Sequence, residues 1–144
     1  MPVHNERENL PELCRRLNEV LRPLAFDRQI IFVDDGSTDG SFEIIRELAA
    51  NDATIQGVRL SRNFGHEFAS TAGLDLADGD ATILMDSDLQ DPPEIIPQMI
   101  ELWQQGNQIV YGVRRSRDGE TLAKRFTSWL FYRLLNRVSD VAIP

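Results

Sequence analysis

The stretch Gln29-Ile30-Ile31-Phe32-Val33-Asp34-Asp35-Gly36-Ser37-Thr38-Asp39-Gly40-Ser41 decides how the whole chain reads. Its first five residues are a short, almost wholly apolar run, the pattern of a strand covered on both faces. A turn of Asp, Gly, Ser and Thr comes directly after it, and then Phe42, Ile45, Leu48 and Ala49 repeat at helical spacing. A buried strand that passes through an acidic turn into a helix is half of a βαβ unit.

The same alternation extends in both directions. Upstream, Leu10, Leu13, Cys14, Leu17 and Leu21 predict a helix, with Asn9 as its cap and Pro11 tolerated in the first turn. Downstream, the expected order is a strand over 55–60, a helix over 65–76, a buried strand over 81–85 and a helix over 95–103. A strand over 108–113 and a long helix over 121–138 complete it. Strands and helices at this spacing call for right-handed crossovers and a mostly parallel sheet, so the fold class is α/β. Met1-Pro2-Val3 runs directly into the first helix, and the last residues, ending at Pro144, carry no turn or cap signal. The expectation is a domain truncated at both ends, its opening strand removed.

The 144 residues suffice for one domain with a real core. Cys14 is the lone cysteine, which excludes a disulfide within one chain and fits a reducing cytosol. No apolar run approaches the ~18 residues of a membrane span, and no signal-peptide pattern opens the chain. The net charge of −8 is uneven: residues 1–113 carry 8 basic and 20 acidic side chains, residues 114–144 carry 7 and 3. An acidic body and a basic tail point to a cation on one side and an anionic surface on the other, though uneven solvated surface gives the same counts. No nucleic-acid partner is expected.

Ligands of open parallel sheets bind outside the carboxyl ends of the strands. Asp34-Asp35 and the turn behind them sit there, as do Asp86-Ser87-Asp88-Leu89-Gln90-Asp91 after the strand over 81–85, and Asn5-Glu6 after the missing first strand. Converging carboxylates repel unless a cation or a donor-rich ligand lies between them. Asp86 and Asp88, two apart in extended chain, face the same way and offer hard oxygen ligands to Mg2+ or Mn2+, with the Gln90 amide oxygen as a third. A plain strand-to-helix turn would use the residues of the Asp34 group equally well. An EF-hand is excluded, because the loop lacks its glycine and Pro92-Pro93 interrupts it. His66 reads as a capping or ligand-facing group rather than a general base, and no Walker or dinucleotide phosphate loop is present.

These residues also resemble a known family. Pro2-Val3-His4-Asn5-Glu6, Val33-Asp34-Asp35-Gly36-Ser37-Thr38-Asp39 and Met85-Asp86-Ser87-Asp88-Leu89-Gln90-Asp91-Pro92-Pro93-Glu94 are similar to family 2 glycosyltransferases, in the branch of dolichyl- and polyprenyl-phosphate sugar synthases. Leu60-Ser61-Arg62-Asn63-Phe64-Gly65-His66 and Tyr111-Gly112-Val113-Arg114-Arg115-Ser116-Arg117 are similar to bacterial members of that branch. The resemblance implies the GT-A fold, with a Rossmann-like nucleotide half (1–113) and a basic loop and amphipathic helix (114–144) that leads toward an acceptor region. It implies an inverting transfer of sugar from a UDP- or GDP-sugar to a polyprenyl phosphate, at the cytoplasmic face of a membrane.

By the same resemblance Pro2, His4 and Glu6 would line the base and ribose, and Val33, Asp35 and Ser87 would complete the nucleotide site. Asp86, Asp88 and Gln90 would hold the divalent metal against the diphosphate, which makes Asp86 and Asp88 the catalytic candidates. Arg114 and Arg125 would neutralise phosphate charge. On the helix over 121–138, Leu122, Phe126, Trp129, Leu130, Leu134 and Val138 share a face flanked by Lys124, Arg125, Arg133 and Arg137, an arrangement that suits a membrane interface. Two features depart from the pattern. His4 stands where the family often has Tyr, and members usually continue with an Asp-x-Gly-Asp-Phe-like segment that carries the proposed catalytic base. Other readings are a nucleotide-sugar-binding fragment without turnover, a nucleotidyltransferase, and association of two copies through the open sheet edge.

Overall fold

The computed structural model describes residues 1–113, and Met1–Val110 forms one compact unit. Three strands, β1 (Pro2–Val3), β2 (Ile30–Asp34) and β3 (Ile55–Arg59), make a wholly parallel sheet in the order β1-β2-β3. The helices are α1 (Leu10–Leu21), α2 (Ser41–Asn51), α3 (His66–Asp75) and α4 (Ile96–Gln104), the last entered through a 3-10 turn at Pro93–Ile95. This is the expected α/β, Rossmann-like arrangement.

β2 is the central strand, and all five of its residues are buried. Its side chains alternate between the two faces. Ile30 and Phe32 join Leu10, Leu13, Leu17, Ile45, Ile55 and Ile96 in one core. Ile31 and Val33 pack with Ala69 of α3 in the other. The covered faces explain why the run over 29–33 has no polar alternation. Phe32 is the largest fully buried side chain, and Phe32→Ala is expected to cost about 3–5 kcal/mol, read as a lower urea midpoint.

α1 keeps its predicted bounds, with Leu10, Leu13, Cys14 and Leu17 as the buried stripe. Asn9, however, has a helical backbone and makes no side-chain cap. Its amide donates to Glu6 Oε2 at 2.6 Å, while the backbone N–H groups of Asn9 and Leu10 are met by the Glu6 carbonyl at 3.0 and 3.1 Å.

Three expectations change. A strand does precede the first helix: Val33 N–H donates to Met1 O (2.9 Å) and Asp35 N–H to Val3 O (2.8 Å), which places Pro2 beside Val33 and Val3 beside Asp34. The run over 81–85 is not a strand; only Met85 in it is buried, and Leu84 is half exposed. An apolar run signals burial, but a strand also needs a ladder partner, and β1 is two residues long. The run over 108–113 likewise forms no strand, and Ile109, Tyr111 and Val113 are largely exposed. The expected helix over 121–138 lies outside the described residues. Among the described residues no helix is long and apolar enough to cross a membrane.

Candidate functional site

Because β1 and β2 are paired in parallel, the loops that leave their carboxyl ends run side by side, and side chains lace them together. Asn5, held at φ 58°, receives through its side-chain oxygen the Thr38 N–H at 2.9 Å and gives its own N–H to Ser37 Oγ at 2.9 Å. Glu6 N–H donates to Ser41 Oγ at 2.9 Å. Asp39 accepts the Arg7 N–H (3.0 Å), the Ser41 N–H (2.9 Å) and the Ser41 hydroxyl (2.6 Å). The acidic turn is thus a strand-to-helix turn and also the clasp that fixes 4–7 over the sheet edge.

Burial alone would raise the Asp39 pKa, but the Ser41 hydroxyl and the Arg7 and Ser41 amides outweigh it, so the carboxyl titrates below its ordinary 3.8. A depressed carboxylate pKa gives stability that is present above the unfolded value and is lost as pH falls through the folded one. Asp39→Asn is therefore expected to melt lower than the wild type at pH 6, with the gap closing as both are acidified below about pH 4. A thermal melt series over that range checks this.

The two adjacent carboxylates at the carboxyl end of β2, Asp34 in the strand and Asp35 just past it, diverge. Asp34, fully buried, accepts the Ser37 N–H at 3.2 Å, and Arg59 Nε lies 3.2 Å from its Oδ2, near enough to pair in charge but not aligned as a hydrogen bond. Asp35 turns to the other loop. Its Oδ1 accepts the Phe64 N–H at 2.7 Å and its Oδ2 the Gly65 N–H at 2.9 Å. The Asp35 carbonyl lies 2.9 Å from His4 Nδ1, and because a carbonyl only accepts, that ring nitrogen carries the proton. His4 Nε2 is then the acceptor for the Asn63 amide at 3.1 Å.

The third loop is tied down by Ser87. Its buried hydroxyl donates to Pro2 O at 2.8 Å, so the residues on either side of it stand at the end of β1. Asp88 Oδ1 accepts the Gln90 N–H at 3.0 Å across Leu89, whose φ of 63° is unusual for a leucine. Asp86 Oδ1 lies 2.9 Å from His66 Nε2. Burial of the Met1 ammonium, which donates to Ile31 O at 2.8 Å, lowers its pKa to about 6, and the negative charge of Asp86 opposes that drop.

The three loops border an open cavity of about 300 Å³. Pro2, His4, Glu6, Asp35, Asp86, Ser87 and Asp88 all line it. Val33 does not: its side chain is fully buried in the core under α3. Gln90 is exposed and is not part of the lining, and Arg114 and Arg125 lie outside the described residues. Val3, Asn63, Gly65 and His66 complete the wall, and of these the sequence marks only His66 as facing a ligand. A larger hollow of about 630 Å³ opens at the amino-terminal ends of β2 and β3, away from the acidic loops.

Of the cavity's carboxylates, Asp35 has both oxygens taken by loop amides, whereas Glu6, Asp86 and Asp88 each have one oxygen engaged, by Asn9, His66 and Gln90 respectively; Asp86 and Asp88 are the two that stand on one loop as oxygen donors. Among the described residues no group of three or more His, Cys, Asp or Glu side chains stands close enough to hold a metal by itself. Mg2+ is commonly held by one or two carboxylates, with water and substrate phosphate in the other positions, and the two oxygen donors here fit that kind of site.

The sequence profile described as Glycosyl transferase family 2 matches residues 1–142. The chain is 46% identical over its full length to the uncharacterized glycosyltransferase YkcC of Bacillus subtilis (strain 168), covering 45% of that protein. It is 42% identical over 99% of its length to the bactoprenol glucosyl transferase of Shigella phage SfV, covering 47% of it. Against the undecaprenyl-phosphate 4-deoxy-4-formamido-L-arabinose transferase of Pseudomonas fluorescens (strain SBW25) the identity is 40%, over 99% of the chain and 42% of the relative. The chain thus spans less than half the length of each of these relatives. A parallel sheet with three polar loops meeting at the carboxyl ends of its strands, matched over nearly every residue by one profile, makes the chain a member of glycosyl transferase family 2.

Proposed function

We propose that the cavity takes the nucleoside diphosphate of a UDP- or GDP-sugar, and that the whole protein passes the sugar, with inversion, to a polyprenyl phosphate. The observation that carries this reading is the meeting of Pro2–Glu6, Asp35 and Asp86–Asp88 around one cavity. The relatives named for bactoprenol and undecaprenyl phosphate support the choice of acceptor.

In this reading residues 1–113 are the donor half, and 114–144 lead toward the acceptor and, through 121–138, to a membrane surface. Pro2, His4 and Glu6 meet the base and ribose. Val33 and Ser87 contribute by holding β1 in place, one through the strand register and one through its hydrogen bond to Pro2 O. Asp86 and Asp88 would hold Mg2+ or Mn2+, which would supply positive charge against the diphosphate as it leaves, while Gln90, exposed and outside the cavity wall, is left out of the ligand set. Arg114 and Arg125 add to that charge. A phosphate monoester with a second pKa of ~6 is already largely dianionic at neutral pH, so the acceptor needs little help from a general base.

The reading is tested by incubating the chain with UDP- and GDP-sugars labelled in the sugar, polyprenyl phosphate vesicles and Mn2+. Label from one donor is expected in the lipid phase, and Asp86→Ala should abolish the transfer. A second reading is a donor-binding module without turnover. It predicts nucleotide binding with all label left in the aqueous phase. If neither donor binds nor reacts, both readings fail.

A further inference from the structure

We infer that His66 is a positioning residue for Asp86: it donates a hydrogen bond that fixes the carboxylate in the orientation needed to receive a divalent cation. This rests on the donor-site reading above and adds to it a residue that acts only through another.

The backbone of His66 is held from both sides. Before it, the Phe64 and Gly65 amides are clamped by the two oxygens of Asp35, a side chain only 2% exposed. Gly65 turns the chain at φ 102° into α3, and His66 is the first residue of that helix. After it, Ala69 anchors the helix against Ile31 and Val33 of β2. The ring therefore leaves a rigid base, and its Nε2 comes to 2.9 Å from Asp86 Oδ1. An ionised carboxylate only accepts hydrogen bonds, so Nε2 carries the proton and the ring is the donor.

Asp86 itself has little else to fix it. Its side chain is 48% exposed on the cavity wall, and an exposed aspartate moves freely among rotamers. Anchoring Oδ1 leaves the lone pairs of Oδ2 to face a ligand in one direction. A metal-binding carboxylate held in this way loses less freedom on binding, and removing such an outer partner typically weakens metal affinity about 10- to 100-fold. His66 faces the same cavity, so the pair forms part of the wall rather than a distant support.

The test measures Mn2+ affinity in the presence of saturating UDP or GDP, through the loss of the free-Mn2+ electron paramagnetic resonance signal. It uses the wild-type chain, His66→Ala, His66→Phe and His66→Gln, each shown to be folded by circular dichroism. Ala and Phe are expected to weaken Mn2+ binding by about 10- to 100-fold. Gln, whose amide nitrogen reaches the place of Nε2, is expected to recover most of the affinity. In an Asp86→Ala background, replacing His66 should change nothing further. Wild-type affinity in His66→Ala, or a Gln variant as weak as Ala, would overturn the inference and leave the donor site standing. Failure of the wild type to bind Mn2+ with either nucleotide would overturn the donor-site reading and the role of His66 together.

Discussion

Gly36→Ala is expected to destabilise the chain by about 3 kcal/mol or more, a large part of the 5–15 kcal/mol that holds a typical domain together. Gly36 sits at φ 67°, and a Cβ there would lie 2.5 Å from the Arg62 carbonyl carbon, 2.6 Å from Asn63 N and 2.9 Å from Arg62 Cα. All three are backbone atoms of the loop that Asp35 clamps, so no flexible side-chain end can yield. The left-handed backbone adds roughly 1 kcal/mol for any residue with a side chain. Gly106, at φ 96° with nothing within 4 Å of its Cβ position, supplies the control. Gly106→Ala should show only that smaller backbone cost. Urea melts of the two variants check this, and equal midpoint shifts would contradict it. Any Gly36→Ala protein that remains folded should also lose nucleotide affinity, because the displaced loop carries Asn63 and His66 into the cavity wall.

The largest effect on function is expected from Asp86→Ala and Asp88→Ala. Both side chains stand partly exposed on the cavity and outside the core, so stability should move by no more than about 0.5 kcal/mol. Sugar transfer, in contrast, should fall by about a hundredfold or more, the scale seen when one group that stabilises developing charge is removed. Initial rates at saturating donor and metal, set beside thermal melts of the same samples, separate the two effects. A variant that melts like the wild type and transfers at the wild-type rate would remove Asp86 or Asp88 from the mechanism.

The sequence made the framework legible where burial and periodicity coincide. α1, β2, α2, β3, α3 and α4 stand within a residue or two of the positions expected for them, because each buries one stripe or one run against a neighbour. Strand pairing was harder to read. β1 is too short to show a period, and it exists because Met1 O and Val3 O meet the amides of Val33 in β2 and Asp35 just past it, about thirty residues away. The apolar runs over 81–85 and 108–113 state a preference for burial but not which backbone will meet them, and among the described residues neither finds a ladder.

The site divides in the same way. The rule that ligands bind past the carboxyl ends of parallel strands led directly to Asp35, Asp86 and Asp88, since each follows an apolar run. It could not separate Asp34 from Asp35, because neighbours at a strand end differ only in the face they take; one is committed to Ser37 and Arg59, the other to the Asn63–His66 loop. Nor could it place that loop in the cavity wall. Its position depends on tertiary hydrogen bonds to Asp35 that no local pattern encodes, so only the family-like motif Leu60–His66 drew attention to it. Val33 shows the converse: a motif position beside the site whose side chain belongs to the core.

If the acidic loops bind a nucleoside diphosphate through a divalent cation, calorimetric titration reads it most directly. UDP and GDP, each with and without Mn2+, are titrated into the wild type and Asp88→Ala. One nucleotide is expected to bind, binding should need Mn2+, and Asp88→Ala should abolish the metal-dependent part while the protein stays folded. Absence of binding by either nucleotide to folded wild-type protein, or equal binding by wild type and Asp88→Ala, would contradict the donor site.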